Sequence, residues 1–234
     1  MSKLAVITGG TKGIGRAIVE KFSSQGFDII TCARNLPALQ SLKNETEKIH
    51  HNHVTILAAD LADRDQINSF AELVNSSRRA VDVLVNNAGY FVSGEISTEP
   101  EGNLQQMIHA NLYSAYHLTR SIVPDMKKKR SGHIFNMCSI ASLDAYPNGG
   151  SYSIAKFALL GFSKCLRAEL REHGIRVTAV MPGATLTDSW AGTQLPAERF
   201  MPSEDVAEMV FSSYSLTRRS VVEDIILRPQ LGDL

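Results

Sequence analysis

Short β-branched runs alternate along this chain with longer stretches of helical periodicity, and that alternation leaves few folds open. The runs are 4–8 (LAVIT), 28–33 (DIITCA), 54–60 (VTILAAD), 81–89 (VDVLVNNAG), 133–139 (HIFNMCS), 175–183 (IRVTAVMPG) and 221–227 (VVEDIIL). Helical spacing fills 14–24, 36–49, 65–76, 104–126, 152–173 and 203–214, the last with Ser203 as its expected cap. Near-continuous apolar strands separated by helices must be covered on both faces, which calls for a parallel sheet with right-handed crossovers. The expected architecture is α/β: one domain over 1–234, built as a three-layer, doubly wound, parallel seven-stranded sheet. In such sheets ligands collect at the C-terminal strand ends, near the point where strand order reverses. TGG, NNAG, MCS and MPG all stand at strand exits.

Charge and composition exclude several classes. With 24 basic and 24 acidic side chains the molecule has no net field to attract nucleic acid or anionic lipid. The apolar run in MSKLAVITGG is too short for a secretory core, and no later stretch approaches the ~20 apolar residues of a membrane span, so a cytoplasmic location is expected. Cys32, Cys138 and Cys165 show no CxxC pairing and read as reduced structural thiols. His50, His51 and His53 in KIHHNHV lack a cysteine or carboxylate at ligand spacing and read as a solvated connector; no metal is expected. The run Lys127 to Arg130 closes a helical segment, where cations favour the helix dipole.

The first strand runs into TGGTKGIG and then directly into a helix. Gly9, Gly13 and Gly15 permit a tight turn, close backbone approach and helix-on-strand packing, while the N–H groups of the helix start can hold a pyrophosphate. Asp60, at a strand end, is placed to accept a hydrogen bond from an adenine amino group. An NAD site carries an acidic residue at the end of strand two; here the chain offers Ala33 and then Arg34, with Lys12 inside the glycine turn. Two such cations on a ribose 2′-phosphate, at roughly 1.5–3 kcal/mol each, would favour NADP(H) by roughly 10² to 10⁴.

A phenol and an ammonium one helical turn apart, Tyr152 and Lys156 in GGSYSIAKFALLGF, sit among apolar neighbours and share a helix face. With TGGTKGIG, NNAG, Asn111 in HANLYSAY, Ser139, Tyr152-x-x-x-Lys156 and PGATLT in order, the sequence resembles the short-chain dehydrogenase/reductase family over nearly its whole length. The resemblance implies a Rossmann fold and a catalytic set of Asn111, Ser139, Tyr152 and Lys156. It also implies a cofactor-binding set of Gly9, Thr11, Lys12, Gly13, Ile14, Gly15, Arg34, Asp60, Leu61, Asn87, Ala88, Gly89, Tyr152, Lys156, Pro182, Gly183, Thr185 and Thr187. Cys138, where the family often has a second serine, and the ending ILRPQLGDL, without a glycine-rich close, depart from the family pattern.

Carbonyl reduction takes a hydride from a nicotinamide and a proton from elsewhere. An ammonium 4–5 Å from a phenol at an effective dielectric of ~20 interacts by roughly 4 kcal/mol, which would draw the Tyr152 pKa down toward neutrality. Lys156 would also bond the nicotinamide ribose, Ser139 would donate to the substrate oxygen, and Asn111 would hold a relay water. The expected activity is NADPH-dependent reduction of a small carbonyl compound, with 185–202 as a loop over the substrate, whose Trp190, Leu195, Phe200 and Met201 favour an apolar ligand. A homodimer or homotetramer is expected. The ending and MPSEDVAEMV resemble bacterial sepiapterin reductases and 3-ketoacyl reductases. One alternative is therefore a pterin reductase, with Asp188 or Asp233 holding the ring's guanidine-like edge. The other is a catalytically silent NADP-sensing regulatory protein, against which the intact Asn, Ser, Tyr and Lys set argues.

Overall fold

The computed structural model describes residues 2–234. Its strands are β1 (Leu4–Thr8), β2 (Asp28–Ala33), β3 (Val54–Ala58), β4 (Val83–Asn86), β5 (Gly132–Met137), β6 (Ile175–Pro182) and β7 (Asp224–Leu227). Its main helices are α1 (Gly13–Ser24), α2 (Leu36–His50), α3 (Arg64–Ser76), α4 (Asn103–Ile108), α5 (Ser114–Lys129), α6 (Gly150–Leu170) and α7 (Ser203–Ser215). The seven strands form one sheet in the order β3-β2-β1-β4-β5-β6-β7, every neighbouring pair parallel, as the alternation of runs predicts. Strand order reverses between β1 and β4.

Side chains alternate across each strand, and both sides are covered. Ala5 and Ile7 of β1 pack with Ile18 and Phe22 of α1 and Val206 and Val210 of α7. Leu4 and Val6 pack on the other face with Phe70 of α3, Leu118 of α5 and Leu166 of α6. This two-sided burial is why the strand sequences read as continuous apolar runs. No helix among the described residues is long and apolar enough to cross a membrane.

Several boundaries differ from the sequence reading, each for a local reason. The strand expected over 81–89 stops at Asn86, because the Asn87 and Ala88 N–H groups turn to donate to Thr8 Oγ1, at 2.9 and 2.8 Å. The helix expected over 104–126 is divided by a π-helical turn, His109–Tyr113, and then runs on to Lys129. Such a turn inserts a residue and re-aims its side chains; Asn111 lies in it. Ser203 is the first residue of α7 rather than its cap: extended Pro202 takes the cap position, and Ser203 Oγ has no hydrogen-bond partner. Cys32 and Cys138 are buried, whereas Cys165 is exposed. The KIHHNHV segment forms the end of α2 and its connector, with His51 in the left-handed cap conformation, and no metal-binding cluster occurs among the described residues. Lys128 and Lys129 at the end of α5 pair with Asp125 and Asp82.

His133 on β5 is fully buried and stacks on Phe135. Thr178 donates its hydroxyl proton to Val222 O at 2.6 Å, so its oxygen accepts from His133 Nε2–H at 2.7 Å and the imidazole is the neutral Nε2–H tautomer. Burial, with Arg176 nearby, holds the His133 pKa well below its ordinary value. The unfolded chain therefore binds a proton that the folded chain refuses, and stability is lost as pH falls below the unfolded histidine value of ~6.5. Below that value this residue is expected to add up to about 1.4 kcal/mol per pH unit to the acid loss of unfolding free energy. Urea unfolding from pH 7 to pH 5 should show a shallower loss in His133→Leu; identical slopes would remove the residue from that role.

Candidate active site

The glycine turn and the exit of β4 meet where strand order reverses. Asn87 Nδ2 donates to Thr8 O at 2.9 Å and to Gly9 O at 3.3 Å, while Thr8 Oγ1 takes the two N–H groups that end β4. Gly15 lies against this junction: a Cβ there would stand 2.1 Å from Gly9 O and 2.4 Å from Asn87 Nδ2. The start of α1 has no side-chain cap and no acidic residue in its first turn. Its first N–H groups therefore face outward with the positive end of the helix dipole.

The other expected contacts divide. Arg34 is exposed just past β2, beyond Ala33, while the Lys12 ammonium pairs with Asp188. The expected convergence of the two cations is thus not what the side chains adopt. Asp60 accepts from Ala62 N–H at 3.0 Å, and Leu61 is buried in the core, so only its backbone can face a ligand. Thr187 lies against Gly13, and Thr185 is buried, its hydroxyl on Gly183 O at 3.0 Å. A surface cavity of about 320 Å³ is lined by Gly13, Arg16, Leu186 and Ser203, and by none of Asn111, Ser139, Tyr152 or Lys156.

Those four residues come together at the C-terminal ends of β4 and β5. Ser139 follows β5; its N–H donates to Ser142 Oγ at 3.2 Å, and its Oγ accepts from Ala141 N–H at 3.1 Å. Tyr152 opens α6, its ring edge-on to Phe91 at 5.0 Å. Lys156, 6% exposed, donates to Met137 O at 2.8 Å and stands 5.5 Å from the Tyr152 ring centroid. Asn111 donates to Tyr90 O and Met107 O, leaving buried Oδ1 without a hydrogen-bond partner. A Cβ at residue 89 would stand 2.4 Å from that oxygen and 3.8 Å from Lys156 Nζ, so only glycine fits between them.

Electrostatics here overturn the expected depression of the tyrosine. Burial pushes the Tyr152 phenol well above its ordinary value, opposed in part by its hydrogen bond with Ser139. Burial likewise pulls the Lys156 ammonium down to about 8, with Cys138 pushing weakly the other way. The ammonium bonds a carbonyl and faces the ring rather than the hydroxyl, so desolvation outweighs attraction.

Sequence reasoning missed Glu99. Its carboxylate accepts from Ser151 Oγ and from Asn103 Nδ2, at 3.4 Å for the latter, and lies against Gly150 at the start of α6. It occupies the place of a cap for the helix that carries Tyr152, but comes from a separate segment, so no local capping signature marks it. Phe200 and Met201, expected over the ligand, are buried instead. They anchor the end of the loop, with Met201 N–H on Ala184 O and Leu186 N–H on Met201 O.

The short chain dehydrogenase family model matches residues 3–196. The chain is 31% identical to a sepiapterin reductase of Chlorobaculum tepidum, over 100% of this chain and 99% of that one. Among solved structures, an alcohol dehydrogenase of Thermococcus sibiricus complexed with 5-hydroxy-NADP superimposes with a TM-score of 0.93 at 24% identity, covering 100% and 99% of the two chains, a likeness of fold. The L-sorbose reductase of Gluconobacter frateurii, complexed with NADPH and L-sorbose, gives a TM-score of 0.90 at 29% identity over 97% and 95% of the chains. This chain belongs to the short chain dehydrogenase family of oxidoreductases.

Because the Gly15 position has no room for a Cβ, Gly15→Ala should displace either the turn or α1. A lowered Tm together with loss of NADPH binding in calorimetry is the expected outcome; wild-type affinity would show that the turn is not the dinucleotide site.

Proposed function

We propose that the chain reduces a ketone or aldehyde to an alcohol with NADPH, Tyr152 serving as general acid. The observation that carries this is the buried Lys156 held on Met137 O beneath the Tyr152 ring, beside Ser139. The donor set fits a dinucleotide: an uncapped α1, a glycine turn without room for side chains, an exposed Arg34, and an orphaned Asn111 Oδ1 beside Gly89. Gly9 and Thr11 to Gly15 would hold the pyrophosphate, Arg34 the 2′-phosphate, Asp60 and Leu61 the adenine, and Asn87 to Gly89 the adenosine ribose. Lys156 would bond the nicotinamide ribose, and Pro182, Gly183, Thr185 and Thr187 would lie at its carboxamide. When bound, the reduced nicotinamide supplies the hydride.

The chain supplies the rest. A phenol pushed up by burial stays protonated at neutral pH, so Tyr152 is poised to donate its proton to the carbonyl oxygen. Lys156, still charged below about 8, stabilises the phenolate left behind. Ser139 donates to the same carbonyl oxygen. Asn111 Oδ1, buried and without a partner, takes a water that returns a proton toward the lysine. Residues 185–202, tied at their ends by the Thr185 and Met201 bridge, form the loop over the substrate, with exposed Leu186 and Leu195 favouring an apolar ligand. Exposed Tyr116 on α5 and Phe157 on α6 support self-association as a homodimer or homotetramer.

A pterin substrate is the second reading, favoured by one observation besides the relative's name. Asp233 Oδ1 lies 3.0 Å from the Cβ position of Gly183, with Arg228 as its ion-pair partner. Asp188, the other candidate, pairs with Lys12 as Asp233 pairs with Arg228, so either carboxylate would exchange its partner for the ring. Loss of pterin turnover but not of simple-ketone turnover in Asp233→Asn would support that reading.

Tyr152→Phe should keep the fold and NADPH affinity and lose turnover by about 10² or more, since it removes the transferable proton alone. In the wild type, reductive kcat/KM should fall as pH rises through about 8, where Lys156 loses its charge; the tyrosine adds no limb below that. NADPH consumption across a ketone and aldehyde panel reads both. Near-native turnover in Tyr152→Phe, or a flat profile through pH 9, would remove the assigned roles.

Arg34 sets cofactor choice. Replacing Ala33 with Asp and Arg34 with Ser should turn preference toward NADH, mainly through KM, because the 2′-phosphate is bound alike in ground and transition states. A double variant that favours NADPH as strongly as before would overturn the assignment.

A further inference from the structure

Below the first turns of α6 runs a chain of buried polar side chains that the proposed reaction does not itself use. Asn86 on β4 donates through Nδ2 to Thr119 Oγ1 on α5 at 2.9 Å and to Asn136 Oδ1 on β5 at 2.8 Å. Asn136 donates in turn to Ser163 Oγ on α6 at 2.9 Å, and Ser163 donates to Leu159 O at 2.8 Å. None of the four residues is more than 4% exposed. Their surroundings are otherwise apolar, and apolar side chains of the same size would pack there without desolvating amides and hydroxyls.

Apolar packing is non-directional and leaves a helix free to settle by fractions of an ångström; a hydrogen bond is not so tolerant. Ser163 lies two turns beyond Lys156, on the same face of α6. Lys156 donates to Met137 O, and Met137 is the residue that follows Asn136 on β5. The helix is thus fixed to β5 at two points, one through Lys156 and one through Ser163. Asn86 braces Asn136 from β4 and is itself tied to Thr119 on α5.

We propose that the Asn136–Ser163 hydrogen bond is a positioning device that sets α6 against β5, holding Lys156 Nζ on the Met137 carbonyl and Tyr152 beside Ser139. Asn136 and Ser163 touch no substrate; they act through Lys156 and Tyr152, so the proposal rests on the catalytic reading of that pair. The other titratable groups around Lys156 are Cys138 and Tyr152.

The test compares wild type, Ser163→Ala and Thr119→Val. Thr119→Val cuts the network at its α5 end and leaves the tie to α6. Turnover of NADPH with the ketone and aldehyde panel gives kcat and KM. Carbon-13 lysine NMR, assigned with Lys156→Met, follows the Lys156 titration without any substrate. In Ser163→Ala, kcat should fall about tenfold or more with the KM for NADPH within about twofold, as misplacement of reacting groups predicts. The Lys156 midpoint should move down from about 8, as the ammonium loses the carbonyl that favours its charged form while the site stays buried. Thr119→Val should lower Tm while leaving kcat and the midpoint near wild type. Should Ser163→Ala fail to fold, Ser163→Cys, which fills the same space as a weak donor, is read in the same way. A Ser163 variant with wild-type kcat and midpoint, or equal losses in Thr119→Val, would overturn the proposal. Full turnover in Tyr152→Phe would instead remove the catalytic reading, and the NMR titration would still judge the positioning.

Discussion

Thr8 and Asn87 carry the junction on which the candidate site is built. The Thr8 hydroxyl accepts the N–H groups of Asn87 and Ala88, and the Asn87 amide returns a hydrogen bond to the Thr8 carbonyl. The β1–β4 ladder ends at Ile7 and Val85, and these bonds carry the tie past it to the point where the crossovers of the two strands leave in opposite directions. Once they are tied, β4 must stop at Asn86, the glycine turn must pass over Asn87, and residue 15 can only be glycine. The residues expected to hold a dinucleotide are then arranged by backbone, before any of their side chains acts.

Burial governs the second half of the site. Lys156 is nearly sealed from water and holds a carbonyl, so its charge is costly and its proton comes off more easily than from a surface lysine. The same burial raises Tyr152. At neutral pH the pair is thus a protonated phenol beside an ammonium that can lose its proton. The protonation states of the pair follow from desolvation, not from the attraction between the two side chains.

The chain also closes over this end from two sides. Arg228 reaches from the exit of β7 to Asp233 and to Asp144, the latter at 3.7 Å, spanning the segment after Ser139 and the tail beside Gly183. Glu99 grips the start of α6 from the segment before α4. The polar rim these residues make contrasts with the exposed Leu186 and Leu195 of the loop.

The sequence by itself determined what repeats or follows locally. Strand and helix alternation gave a parallel sheet, the glycine spacing gave a backbone turn at a helix start, and Tyr152 and Lys156 had to share a face because four residues separate them along one helix. Ser203 was misread as a cap because Pro202 takes that position, and the single helix over 104–126 hid the π turn that aims Asn111; both turn on details smaller than the periodicity that revealed the helices. Only the tertiary structure decided which distant groups meet: Lys12 with Asp188, Glu99 with Ser151, Asn136 with Ser163. It also reversed the sign expected for Tyr152. A chain far apart in sequence carries no record of such pairs in its local pattern, and the cost of holding a charge depends on how much water the finished fold leaves around it.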